Sequence, residues 1–364
     1  MANKGEWSET YVLLKLLADG ILHNADKNLN IIEGDIYPIE KILKREIKDI
    51  EYIPKNDEII IQFGKEKSIS IQKNIFEEKA KLLLEKIKQG KTSFGIPELD
   101  DFFKEIHLNP HKKSKAKSDI VLIVYDQKTH ETPTLGFSVK SYLGKDPTLL
   151  NASHKTNLVF KIPKIIHIDV EKIMEETTTI KKNGKKTHEI KKRIGILQSE
   201  YEIQFEKIED LTFEGNLKMI DSQFPMIISE LVLLYYSKKG TSVKDLIDRL
   251  NEIDPLNLQA SYKNPFYEHM IKKFLMDVAL GMVPGTVWTG EREAAGGYIV
   301  IKKDGELVSY HTYDEKEFQE YLFTQTKLET ASSGQSRNDF GQIYLDDDGE
   351  YKIKLNLQIR FKKI

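Results

Sequence analysis

At 364 residues and 42.1 kDa the chain can bury a large core, as one elaborated domain or as two of ordinary size. Its 40% hydrophobic and 31% charged residues give a soluble globular balance, and zero cysteines exclude disulfides, thiolate nucleophiles and Cys-based zinc sites. The formal net charge of −2 is low for a DNA-binding protein, yet lysines and arginines cluster in HKKSKAK (111–117) and KKNGKKTHEIKKR (181–193). Such an average can hide a basic groove behind an acidic exterior, although either run also fits a solvated surface. No apolar run approaches the roughly 20 residues that span a membrane, and MANKGEWSET lacks a signal-peptide core, so a cytoplasmic protein is expected.

Helical spacing in GEWSETYVLLKLLA (5–18) predicts a first helix that stops at Asp19-Gly20. A β-rich insert follows, with IIIQF (59–63) and SISI (68–71) as strands, and then two helices. One is FEEKAKLLLEKIKQ, ended by Gly90; the other is PELDDFFKEIH, with Pro97 in its first turn. DIVLIVY and GFSVK then read as two strands, the first apolar without alternation and therefore suited to a sheet covered on both faces. After Phe160 the pattern is β again, with Asn183-Gly184 marking a hairpin between Lys-rich arms. Helices dominate from 225 to 281, the last of them behind an Asn264 cap. The tail is β with one helix, in which Asp314 and Glu317 suit a capping box. The expected class is α/β (α+β), divided at about residue 160 into an N-terminal part with the core strands and a C-terminal helical and β-rich part, or joined as one unit.

Three local patterns lead nowhere. Gly90-Lys91-Thr92 lacks the glycine that a phosphate-binding loop needs five residues earlier, where Glu85 stands. His130-Glu131 and His188-Glu189 lack the second histidine of a zinc-protease helix. Asp346-Asp347-Asp348-Gly349 fits a hairpin turn better than a calcium loop, because the alternating acids and the closing glutamate are absent.

The stretch SDIVLIVYDQKTHETPTLGFSVK (118–140) carries the chemistry. Residues two apart in a strand share a face, so Ser138 and Lys140 lie together while Phe137 and Val139 pack on the other side. Asp119, at the start of the adjoining strand, can lie beside them. Phosphodiester hydrolysis needs a divalent cation held by carboxylates, and a lysine nearby can orient water and support the added charge of the transition state. Position 138, where a second acid is expected, is a serine. On the first helix Glu9, Leu13 and Leu16 form one stripe facing the sheet, which makes Glu9 a metal ligand or an acid next to the ligands. Glu6, one turn earlier, is a less inward substitute. The plain alternative is that Glu9 reaches out at the core edge and Lys140 is a strand-end surface residue.

Asp119, eighteen residues, then Ser138-Val139-Lys140 resembles the PD-(D/E)XK nuclease core, with the serine as a departure. Other restriction enzymes that cut within CCGG have Ser-X-Lys and a glutamate about a dozen residues downstream. Here that region, NASHKTN, holds no acid, which favours Glu9. Longer segments, NKGEWSETYVLLKLLADG (3–20), GFSVKSYLGKDPTLLNASHKTNLVFKI (136–162), WTGEREAAGGYIVIKKDGELVSYHTYDEKEFQEYL (288–322) and KLNLQIRF (354–361), look like the HpaII-type restriction endonucleases. The resemblance implies a Mg²⁺ enzyme, with Mn²⁺ as a substitute, that cuts duplex DNA at CCGG, leaves 5′-phosphate ends and works beside a methyltransferase of the same specificity. A homodimer on the palindrome is one arrangement it allows. The competing readings are a structure-directed nuclease on the same core and a sequence-specific DNA-binding protein that has lost catalysis.

Base edges are read by Asn, Gln, Arg and Lys. In YKIKLNLQIRFKK, alternation sends Ile353, Leu355, Leu357, Ile359 and Phe361 inward and presents Lys354, Asn356, Gln358 and Arg360 on the opposite face. Arg337 in SSGQSRND is a second candidate, and Lys185 and Lys186 would grip phosphates from the 181–193 hairpin. Asn151, Ser153, Thr156 and Asn157 follow the lysine closely and suit a backbone or base contact, with helix capping as the alternative.

Overall fold

The computed structural model describes residues 1–43, 50–64, 67–110, 118–163, 168–180, 186–292, 294–331 and 340–364; of Lys186 and Gln259 only the backbone is described. Helix α1 (Lys4–Asp19) begins where Asn3 Oδ1 accepts the amides of Gly5 and Glu6 and the Glu6 carboxylate accepts the Asn3 amide at 2.8 Å, a reciprocal cap. It ends at Gly20, whose φ of 75° an L side chain rarely adopts. Helix α2 (Lys73–Gln89) lies against α1, and together they cover one face of the main sheet.

Among the described residues that sheet has nine strands: β1 (Ile21–Ala25), β2 (Ile31–Leu43), β3 (Ile50–Lys55), β4 (Glu58–Phe63), β5 (Lys67–Gln72), β6 (Ile120–Val124), β7 (Thr134–Ser141), β8 (Gly297–Ile301) and β9 (Leu307–His311). Their spatial order is β1-β9-β8-β7-β6-β2-β3-β4-β5, and β1 also pairs with β2. β6 and β7 are antiparallel, with Ile120 opposite Phe137, whereas β7 and β8 are parallel, with Ser138 beside Tyr298. The sheet takes strands from both sides of residue 160, and each face closes a separate core. Phe137, Ile299 and Ile301 join α1 and α2 in one. Tyr298, Val300, Val308 and Tyr310 join the later helices in the other.

The expected strands at 59–63 and 68–71 are β4 and β5. The hairpin pairs Thr178–Ile180 with Lys186–His188, and its Asn183-Gly184 turn lies outside the described residues. Two helices stand in a span read as β, Val170–Glu176 and Ile190–Glu200, and a third, Leu211–Ile220, precedes the expected helical block. Ile190, Ile194 and Leu197 form the buried stripe of the second, which the surrounding lysines and arginine masked. Arg193 of that run is itself buried, bonded to Thr177 Oγ1 and the Gly341 carbonyl. The capping box at Asp314 and Glu317 does not form: a 3₁₀ turn (Thr312–Asp314) precedes the helix, and Asp314 makes no side-chain cap. The helix after Asn264 starts at Phe266 with Pro265 in the cap position. Asp346–Gly349 is the predicted turn, between strands Ile343–Leu345 and Tyr351–Asn356.

The expectation for the Tyr351–Phe361 stretch needs correction. Tyr351–Asn356 pairs with Asn157–Ile162, but the run breaks at Leu357-Gln358 and Ile359–Phe361 enters another sheet. No continuous polar face survives the change of sheet. Asn356, expected toward DNA, is buried and donates to the Ser153 carbonyl (2.7 Å), Thr156 Oγ1 (3.1 Å) and Asn157 Oδ1 (2.7 Å). Asn157 is also buried and donates to Glu209 at 2.9 Å. These two asparagines fix the turn that follows the central strands. They present nothing to a groove.

Two outcomes follow for stability. Removing the Asn356 amide strands buried acceptors, so Asn356→Ala should lower unfolding free energy by about 2–3 kcal/mol in urea titration and leave the DNA target unchanged. Lost DNA affinity at unchanged stability would return Asn356 to the interface. His311 is buried against Tyr37, Phe137 and Tyr313, and burial lowers its pKa from 6.5 to about 4. Its folded pKa lies below the unfolded one, so this stability is complete above about pH 6.5 and is lost as pH falls toward about 4. His311→Phe should therefore lose about 3 kcal/mol less than the parent chain between pH 7 and pH 4, judged by paired urea curves.

Candidate active site

Asp119 sits one residue before β6 and extends its pairing, donating its amide to the Phe137 carbonyl at 2.8 Å. Its Oδ2 accepts the Val139 amide at 2.6 Å. The carboxylate is thus fixed to the backbone between Ser138 and Lys140. Ser138 and Lys140 share a face, as the period of two requires, and Tyr298 of the parallel neighbour joins them. The Lys140 Nζ lies 4.8 Å from the centre of the Tyr298 ring. Burial lowers the Lys140 pKa, and the nearby Asp119 charge opposes that shift.

A cleft of about 320 Å³ opens at the end of β7. Ser8 and Glu9 line it from α1, Val139, Lys140 and Ser141 from the strand, and Asp146 from the segment that follows. The Ser8 and Ser141 hydroxyls are 2.8 Å apart and tie helix to strand. Leu13 and Leu16 are buried on an α1 stripe that packs on the Phe137 face of the sheet, opposite the face of Ser138 and Lys140; Glu9 and Lys140 both line the cleft at the strand end. The structure therefore brings Glu9 and Lys140 to one cleft and Asp119 to Lys140. Glu6 is engaged in the helix cap instead.

Among the described residues no group of three His, Cys, Asp or Glu could hold a metal ion. Any cation here would meet at most two of the described side-chain carboxylates and would draw other ligands from water and substrate. The donors are carboxylate oxygens, which suit a hard divalent ion.

The remaining candidates are dispersed. Asn151 is exposed; Ser153 caps a short 3₁₀ helix, accepting the Lys155 amide, as the capping alternative had it. The Arg360 guanidinium bonds the Asp146 carbonyl and pairs with Glu329, which fastens the cleft segment to the chain's last strand. The Gln358 carbonyl accepts the Glu329 amide, and the residue is half-buried. Lys185, Arg337 and the 111–117 run lie outside the described residues, as does the Lys186 side chain. Sequence reasoning missed Tyr298 and Asp146. Asp146 was legible as an acid six residues past the lysine, whereas nothing local ties Tyr298 to Lys140, since their strands are joined by a long excursion.

A model of the HpaII restriction endonuclease family matches residues 3–361. The chain is 44% identical to the type II restriction enzyme HpaII of Haemophilus parainfluenzae, over 99% of this chain and 98% of that one. No solved structure matches it. The chain belongs to the HpaII restriction endonuclease family: it is a type II restriction enzyme, a site-specific nuclease of double-stranded DNA.

Proposed function

We propose that the chain hydrolyses duplex DNA at CCGG in a Mg²⁺-dependent reaction on a PD-(D/E)XK core, leaving 5′-phosphate and 3′-hydroxyl ends. The observation that supports this most is the Asp119 carboxylate bonded to the amide of Val139, beside Lys140. Asp119 and Glu9 would hold the ion. When bound, Mg²⁺ would neutralise the phosphate and lower the pKa of a coordinated water, and Mn²⁺ would substitute. The two carboxylates fit an ion that keeps several waters and binds through few protein ligands.

The chain's own groups divide the remaining work. The Val139 amide fixes one Asp119 oxygen and so aims the other. The Lys140 ammonium, at the cleft, would donate to the scissile phosphate and stabilise charge that grows as water attacks phosphorus and the 3′ oxygen leaves. Glu9 would supply the negative charge that Ser138 does not. A methyltransferase of the same specificity would protect the host's own sites, and a homodimer would match the symmetry of the palindrome. Such an enzyme would work in the cytoplasm, and among the described residues no helix is long and apolar enough to cross a membrane.

Digestion of a plasmid of known sequence, followed by end sequencing, tests the reading: cuts confined to CCGG are expected, and discrete cuts elsewhere would reject that specificity. Lys140→Ala should fold, bind its site with little change in affinity and cleave orders of magnitude more slowly. Near-normal cutting by that variant would remove Lys140 from the site. Glu9→Gln keeps size and helix propensity while deleting the charge, so it should need far more Mg²⁺ or fail to cleave, whereas Ser138→Ala should be tolerated better. If Glu9→Gln keeps the parent Mg²⁺ dependence, the compensating charge lies elsewhere.

A further inference from the structure

We propose that Tyr298 is a positioning residue for the cleavage reaction: its ring face, beside the Asp119 carboxylate, helps hold the Lys140 ammonium at the cleft, where Ser138 supplies no second acid. The inference rests on the reading of Lys140 as the reacting lysine. Three observations carry it. Tyr298 is the direct parallel partner of Ser138, so its side chain rises from the sheet on the same face as Ser138 and Lys140. The Lys140 Nζ stands 4.8 Å from the ring centre, within the range of about 6 Å over which an aromatic quadrupole attracts a cation. The ring is also immobilised, being 1% exposed and packed against Phe318 at 5.1 Å and Phe361 at 6.3 Å.

A lysine carries four rotatable bonds, and a strand fixes only its base. An acid at position 138 could restrain the ammonium by an ion pair. A serine offers at most a neutral hydrogen bond. The ring face supplies attraction without adding a formal charge, so the ammonium stays available to a phosphate entering the cleft. The contact is made to the ring, which separates this role from any role of the phenol hydroxyl.

The test compares Tyr298→Phe and Tyr298→Leu in plasmid cleavage with Mg²⁺, with DNA affinity measured in Ca²⁺. Tyr298→Phe should retain kcat within about 3-fold, while Tyr298→Leu should lose about 10-fold in kcat with KM and DNA affinity little changed, the size expected of a desolvated cation–ring contact. Because Tyr298→Leu opens a core position and can fail to fold, a series of progressively fluorinated phenylalanines at 298 supplies the second measurement. Fluorination drains the ring face at almost constant shape, so log kcat should fall steadily along the series. A flat series, or Tyr298→Phe as slow as a folded Tyr298→Leu, overturns the proposal. Lys140→Ala separates the two levels: if it cuts normally the site reading itself fails, whereas an inactive Lys140→Ala beside a flat fluorine series rejects Tyr298 alone.

Discussion

The carboxylate of Asp119 can take the amide hydrogen of Val139 only because β6 and β7 pair in the register that sets Ile120 opposite Phe137. A slip of one residue would exchange the faces of β7, turning Ser138 and Lys140 into the core that now holds Phe137. The register is held from below by Leu122 opposite Leu135, both buried in that core, together with Phe137. Apolar packing on one face therefore sets the position of charged groups on the other. The Ser8–Ser141 contact carries the same constraint to α1, and through it to Glu9.

β7 is also constrained from its second edge, and that edge belongs to a remote part of the chain. β8 enters through Gly296 and Gly297, and both positions need glycine. A Cβ on Gly296 would stand 2.8 Å from the Gly136 carbonyl oxygen, and one on Gly297, whose φ is +105°, would stand 2.0 Å from the Tyr310 oxygen. The backbones of the central strands thus approach where the chain returns from its long helical excursion. Because Tyr298 follows directly, the residues beneath Lys140 belong to the core that also contains Phe318, Tyr321 and Phe361. The lysine is therefore braced by residues from the C-terminal part of the chain.

Local rules made much of this legible. Helix α1, strands β4 to β7 and the Asp346–Gly349 turn each rest on periodicity or a terminal signal within a dozen residues, and they appear where those signals stand. That Ser138 and Lys140 share a face with Asp119 beside them was legible because paired strands have fixed side-chain periods. What escaped was non-local. Alternation in YKIKLNLQIRF reads the same for a strand with a solvent face as for one that leaves its sheet midway, so Asn356 was misplaced. Basic residues around Ile190, Ile194 and Leu197 concealed a helix whose apolar stripe is intact. The parallel pairing of Ser138 with Tyr298 leaves no mark near either residue.

The serine at 138 follows from electrostatics once these neighbours are in place. Ser138 is 8% exposed, beside Tyr298 and on the same face as Lys140. Asp119 already places a carboxylate next to that lysine. A second buried carboxylate would pay desolvation and repel the first whenever no cation was bound, and only one of the two could be matched by Lys140. A neutral serine removes that repulsion and leaves the metal-free fold with a carboxylate and an ammonium in balance. In the proposed reaction the cost falls on cation affinity. Glu9 can meet it from the cleft wall, where partial exposure makes a carboxylate far less expensive to keep charged than it would be at position 138.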